Sequence, residues 1–159
     1  MKIWLAALQM MAKCQMAFDI LIVDDEADIR RLIAGILEDE GYESREAGDS
    51  TAVFEAIRKR QPNLIILDVW LQGSEHDGLQ ILELVRKENP DQQVIMISGH
   101  ATFDMAVSAT KIGAYDFLTK PFKTDVLIHT VSRALETEKL RKKNEELQAL
   151  TGEDIIEFS

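Results

Sequence analysis

The sequence holds one cysteine, Cys14, so no disulfide can close within the chain, and a reducing, cytoplasmic compartment is expected. It lacks a membrane span. The N-terminal apolar stretch, Ile3 to Ala12, is interrupted by Gln9 and falls short of the roughly 20 residues a bilayer requires. Lys13, Cys14 and Gln15 offer no small-residue cleavage site, which argues against a secretory leader. Basic charge is scarce: 18 Lys and Arg stand against 28 Asp and Glu, a net charge of −10. Lys2 and Lys13 precede Asp19, the first acidic residue, so the remainder carries 16 basic against 28 acidic, or −12. Phosphate backbones dominate nucleic-acid affinity, and so acidic a chain is a poor direct DNA or RNA binder; cations or a basic partner surface suit it better. No GxxxxGK[ST] phosphate loop and no helix-turn-helix signature is present.

Apolar residues make up 46% of the 159, an ordinary globular share, and the length fits one domain with a short appendage. Residues 1–15 are assigned no function, since a domain starting at Met16 would be complete. From there strand and helix patterns alternate. Phe18–Val23 reads as a buried strand, Ala27–Glu40 as a helix with Ile29, Leu32, Ile33, Ile36 and Leu37 at helical spacing, and Tyr42–Ala47 as a strand. Ser50–Arg60 is a helix, Leu64–Leu67 a strand, Leu79–Lys87 a helix and Val94–Ile97 a strand. Ala101–Lys111 is a helix stopped by Gly113, and Tyr115–Leu118 is the fifth strand. A last helix runs from Thr124 to about Leu150, where Thr151-Gly152 is expected to end it. Five strand–helix repeats demand a doubly wound α/β fold with a five-stranded parallel sheet, strand order 2-1-3-4-5 as in flavodoxin and CheY.

In such sheets ligands bind beyond the carboxyl ends of the strands. That rule selects Asp24 and Asp25 after the first strand, Asp68 after the third, Ser98 after the fourth and Lys120 after the fifth. Taken singly, each has an ordinary explanation: Asp-Asp as a helix cap, Ser98-Gly99 as a turn, Lys120-Pro121 as a loop. Together they make a site. Three carboxylates repel one another, and Mg²⁺ is suited to neutralise them while keeping positions for water or a phosphate. A carboxylate nucleophile, a hard cation, a lysine and a hydroxyl constitute an aspartyl-phosphate site.

These residues, with the run Lys120-Pro121-Phe122, resemble the receiver domain of bacterial two-component response regulators. The spacing agrees, with Ser98 thirty residues and Lys120 fifty-two after Asp68. The resemblance spans residues 18 to about 135 and implies roles. Asp68 is the phosphoacceptor, taking its phosphoryl group from a phosphohistidine. Mg²⁺ is held by Asp25 directly, by Asp24 through water, by Asp68, and by the backbone carbonyl of Trp70. Ser98 and Lys120 contact the phosphoryl group, Ser98 and Phe117 switch together, and the Lys120-Pro121 bond is cis. The protein then modifies itself without being a turnover enzyme.

The strings DVWLQGSEHDG, MISGHA and GAYDFLTKPF are similar to NtrX-type nitrogen regulators. Those are sigma-54-dependent activators paired with a membrane sensor histidine kinase of the NtrY type. Many receivers carry proline four residues and glycine eight residues after the phosphoacceptor. Here Gln72 and, at ten, Gly78 stand instead, so the loop Leu71–Gly78 is two residues longer and reshapes the rim of the site. Trp70 and His100 flank the site at positions that, by resemblance, tune phosphoryl lifetime. A bulky Trp70 would exclude water or else simply pack on the loop, and His100 reads as a helix-start residue. His76 and His129 have no visible ligand partners, and Met96 and Met105 read as core fillers.

The domain organisation expected is thus an extension at 1–15, a receiver at 16–135 and a helical linker and tail at 136–159. In the last, Leu140 and Leu147 lie one heptad apart with Asn144 between them, a weak coiled-coil signal. A homodimer through this helix, or through the face of fourth helix, fifth strand and fifth helix, is expected. Two other readings stay open. A receiver-like module could bind partners, alone or without phosphorylation. An aspartyl-phosphate phosphatase of the haloacid-dehalogenase type would instead want Asp-x-Asp after the first strand.

Overall fold

The computed structural model describes Ile3 and residues 18–157, with side chains described as far as Leu150. The readings that concern Met16 and, Ile3 apart, residues 1–15 lie outside the described residues. The chain runs β1 (Asp19–Val23), α1 (Ala27–Asp39), β2 (Glu43–Ala47), α2 (Ser50–Lys59), β3 (Leu64–Asp68), α3 (Gly78–Glu88), β4 (Gln93–Ser98), α4 (Phe103–Ile112), β5 (Asp116–Thr119) and α5 (Thr124–Glu157). All strand pairs are parallel and the order is β2-β1-β3-β4-β5, the doubly wound arrangement expected.

The sequence of each strand explains its place. β1 and β3 are buried along their whole length, as central strands covered on both faces must be. β2 reads Glu-Ser-Arg-Glu-Ala and buries only Ala47, while β5 buries only Leu118; these are the edges. Because side chains alternate across a strand, the apolar run splits into two cores. Leu21, Val23, Ile65, Leu67, Val94 and Met96 face Val53 of α2, Ile81, Leu82 and Val85 of α3, and Ala109 of α4. Ile20, Ile22, Leu64, Ile66, Ile95 and Ile97 face Ile33 and Leu37 of α1 and Leu127, Val131 and Leu135 of α5.

Boundaries differ from expectation where capping decides them. α3 starts at Gly78, one residue early, because Asp77 and Gln80 form a reciprocal capping box. α4 starts at Phe103, two residues late, because the Thr102 hydroxyl accepts the Met105 N–H. His100 therefore lies ahead of this helix, not at its start. Leu32 is 56% exposed although it shares the apolar spacing of α1; Ile33 and Leu37 carry that contact. α5 does not stop at Thr151-Gly152 but continues to Glu157. A single interior glycine costs a helix only about 1 kcal/mol, too little to terminate it.

One close approach ties the fold to the site. A Cβ on Gly78 would stand 2.0 Å from the carbonyl oxygen of Asp68 and 2.7 Å from the Cα of Val69. The Gly78 N–H donates to the Val69 carbonyl at 2.8 Å. The glycine ten residues after Asp68 thus packs α3 directly beneath the end of β3. Gly78→Ala is expected to lower unfolding free energy by about 1–3 kcal/mol, the usual cost of forced overpacking. Urea denaturation beside the parent checks this, and equal midpoints would contradict it.

Candidate functional site

Each strand end delivers its residue to one edge of the sheet. Asp24 follows β1 and is fully buried. Its Oδ1 accepts the Glu26 N–H at 2.9 Å, organising the turn into α1, and its backbone carbonyl accepts from the Arg30 guanidinium at 2.7 Å. Asp24 therefore does the ordinary turn work through Oδ1 and turns Oδ2 toward Lys120. Asp25, next along, is half-buried, and its Oδ2 accepts the Gln72 N–H at 3.3 Å.

Asp68 closes β3, is nearly buried, and accepts the Trp70 N–H on Oδ1 at 3.3 Å. Lys120 reaches back from the end of β5 and donates to Asp24 Oδ2 at 2.7 Å and to Asp68 Oδ2 at 2.9 Å. The Lys120-Pro121 bond is cis, as the resemblance implied. Ser98 ends β4 fully buried; its Oγ accepts the His100 N–H at 3.2 Å, and its carbonyl accepts the Lys120 N–H at 2.8 Å.

Asp24, Asp25 and Asp68 each place a carboxylate oxygen within 4.8 Å of the others, a set able to hold a metal ion. Above them opens a cavity of about 370 Å³ rimmed by Glu26, Trp70, Gln72, Gly99 and His100, with Lys120 in its wall. Trp70 is half-exposed at this rim; it is not buried in the loop. Phe117 is partly buried against the core that contains Met96 and Ala109. Met96 is core and Met105 packs on it, as expected. His76 contributes no metal cluster among the described residues.

Burial and the neighbouring charges both show in the acidities of the site. Burial pushes the Asp68 carboxyl up from 3.8 to about 6; Lys120 and the Trp70 N–H pull it down, and the neighbouring Asp24 charge pushes it up. For Lys120, burial acts to lower the pKa, but hydrogen bonds and charge attraction from Asp24 and Asp68 outweigh it and raise the value. At neutral pH the site is therefore an ionised, partly buried carboxylate beside a firmly charged lysine, with unneutralised negative charge around both.

The family model of the response regulator receiver domain matches residues 20–132. The chain belongs to the response regulator receiver family. Its receiver is 55% identical, over 136 residues, to the nitrogen assimilation regulatory protein NtrX of Azorhizobium caulinodans, covering 86% of this chain and 30% of that protein. The crystal structure of NtrX from Brucella abortus superposes with a TM-score of 0.78 at 55% identity, over 83% of this chain and 30% of that one. The crystal structure of the receiver domain alone of the Brucella abortus protein gives 0.72 at 56% identity, over 75% of this chain and 99% of that one. The receiver is thus NtrX-like, and the chain spans about a third of the length of the full-length relatives it matches. Among the described residues no helix is long and apolar enough to cross a membrane.

Sequence reasoning placed Asp24, Asp25, Asp68, Ser98 and Lys120 at one edge; the receiver clusters the side chains of Asp24, Asp25, Asp68 and Lys120, while Ser98 ends β4 at the same edge, buried and outside the cavity lining. That reasoning did not find Glu26 at the rim, Arg30 beneath Asp24, or the contact of the Gln72 N–H with Asp25. None of these leaves a periodic signature, because each is a contact of backbone or of a long side chain.

The raised Asp68 value has a consequence for stability. Between pH 4 and 6 the folded state holds this proton more tightly than the unfolded chain, so Asp68 lowers stability as pH rises through that window. Asp68→Asn is expected to flatten this fall and, in metal-free buffer at pH 7, to gain about 1–3 kcal/mol. Urea denaturation with chelator at pH 4, 5, 6 and 7 checks it; identical pH slopes for parent and variant would contradict it.

Proposed function

We propose that this receiver takes a phosphoryl group on Asp68 from the phosphohistidine of a sensor kinase of the NtrY type. In this reading it thereby switches a sigma-54-dependent transcription output of the NtrX kind, located outside these 159 residues. The observation that carries the reading is the double engagement of Lys120, 2.7 Å from Asp24 and 2.9 Å from Asp68, beneath an open cavity. A lysine so held neutralises the nucleophile's surroundings and has donors ready for phosphoryl oxygens.

The donor set fits Mg²⁺: oxygen ligands only, clustered carboxylates with excess negative charge, and an open side for water or phosphate. Asp24, Asp25, Asp68 and the Trp70 carbonyl would hold it. When bound, the cation supplies positive charge toward phosphoryl oxygens. The remaining chemistry belongs to the chain. An Asp68 carboxylate oxygen attacks phosphorus; the O–P bond forms as the N–P bond breaks, and the electron pair leaves with the imidazole nitrogen. Lys120 donates to a phosphoryl oxygen in place of its bond to Asp68, and the Ser98 hydroxyl donates to another. Ser98 turning toward the phosphoryl group vacates space that Phe117 follows, altering the face of α4, β5 and α5. Trp70, at the rim, covers one approach of water to the acyl phosphate.

In this reading residues 16–135 are the signalling unit and 136–159 a helical connector. α5 leaves Leu140 and Leu150 exposed, with Leu147 one heptad after Leu140 and Asn144 between, a surface suited to pairing two copies in parallel.

Native mass spectrometry tests both parts. Incubated with Mg²⁺ and a small phosphoryl donor, or with an NtrY-type kinase and ATP, the parent is expected to gain one phosphoryl group and Asp68→Ala none. A dimer population is expected that Leu140→Glu removes. No addition from either donor would overturn the phosphoacceptor reading. Equal dimer content in Leu140→Glu would overturn pairing through α5.

A further inference from the structure

The loop between β3 and α3 is fastened at two places, to the start of α2 and to the site. We infer that Ser74 is a positioning residue for Asp25, acting through the loop backbone on the carboxylate that would hold the cation. The inference rests on the phosphoacceptor reading and deepens it.

Two hydrogen bonds join the loop to the start of α2, and a third braces the loop itself. The Ser50 N–H donates to Ser74 Oγ at 2.9 Å, the Ser74 hydroxyl donates to the His76 carbonyl at 2.7 Å, and the His76 N–H donates to Ser50 Oγ at 3.4 Å. The ring closes on itself. It also satisfies one of the N–H groups that the first turn of α2 leaves without a helical partner. Ser50 is buried, so the anchor is rigid. The His76 imidazole stands edge-on to Phe54, with centroids 6.5 Å apart, and holds the loop from a second side.

The other end of the loop touches the site. The Gln72 N–H donates to Asp25 Oδ2 at 3.3 Å, and among the described residues this is the one hydrogen bond that the Asp25 carboxylate accepts. Asp24 and Asp68 are each held twice, by Lys120 and by a backbone N–H. Asp25 is held once, and by the loop. Only Gly73 separates Gln72 from Ser74, and Gly73 sits at φ +75°, a conformation that suits glycine. The Ser74 N–H closes that turn on the Leu71 carbonyl at 3.3 Å. Where Ser74 is pinned therefore sets where the Gln72 N–H points. Groups that orient a metal ligand from outside contribute to affinity without touching the ion.

Calorimetric titration of the 159-residue chain with MgCl₂ tests this, beside Ser74→Ala, Ser74→Thr and Gln72→Pro. Ser74→Ala should bind about 10-fold more weakly, the lower end for loss of an outer positioning group. Gln72→Pro, which removes the donor itself, should weaken binding similarly, while Ser74→Thr, which keeps the hydroxyl, should bind as the parent does. In amide NMR spectra without metal, the Gln72 signal should move in Ser74→Ala and the Trp70 signal should not. If the parent binds Mg²⁺ and Ser74→Ala binds equally well, the positioning role is wrong and the phosphoacceptor reading stands. If Ser74→Thr is as weak as Ser74→Ala, the hydroxyl is not what matters and the inference also falls. A parent that does not bind Mg²⁺ removes both.

Discussion

A single ammonium group holds the functional edge of this molecule together. Lys120 lies between Asp24 and Asp68, two carboxylates that arrive from separate strands and that burial would otherwise force apart or protonate. Removing the lysine alone would leave two buried carboxylates without compensation. Even so, the lysine cannot neutralise three carboxylates. The excess negative charge is therefore built into the same contacts that close the site.

The sheet makes this possible. A doubly wound parallel sheet brings the carboxyl ends of β1, β3, β4 and β5 to one edge whatever the length of the connections between them. The helices pay the geometric cost elsewhere, as at Gly78, where α3 can lie beneath Asp68 only because it has no side chain. Loop length can then vary without moving the five residues at the strand ends. The loop between β3 and α3 is fastened to α2 by hydrogen bonds of its own, separate from the contacts of Lys120 with Asp24 and Asp68.

Much of this was legible in the sequence. β1 and β3 announce themselves because strands covered on both faces carry apolar residues without alternation, and a charged residue after such a run marks the strand end. Asp24, Asp25, Asp68, Ser98 and Lys120 could be placed on one edge from topology alone. What could not be read depends on contacts with no period. Leu32 shares the spacing of buried neighbours yet faces solvent, since an apolar stripe does not say how wide the contact beneath it is. Gly152 reads as a helix stop, but the helix passes through it. The Ser50–Ser74–His76 ring joins residues more than twenty positions apart through hydroxyls and backbone groups, and no local pattern betrays it.

Burial at the end of β3, working against the pull of Lys120, makes Asp68 a poised carboxylate. Carboxyl-carbon NMR of Asp68, titrated against pH with and without Mg²⁺, tests it most directly. The account predicts a midpoint near 6 in chelator that falls well below that value when Mg²⁺ is added. A midpoint near the ordinary 3.8, unchanged by Mg²⁺, would contradict it.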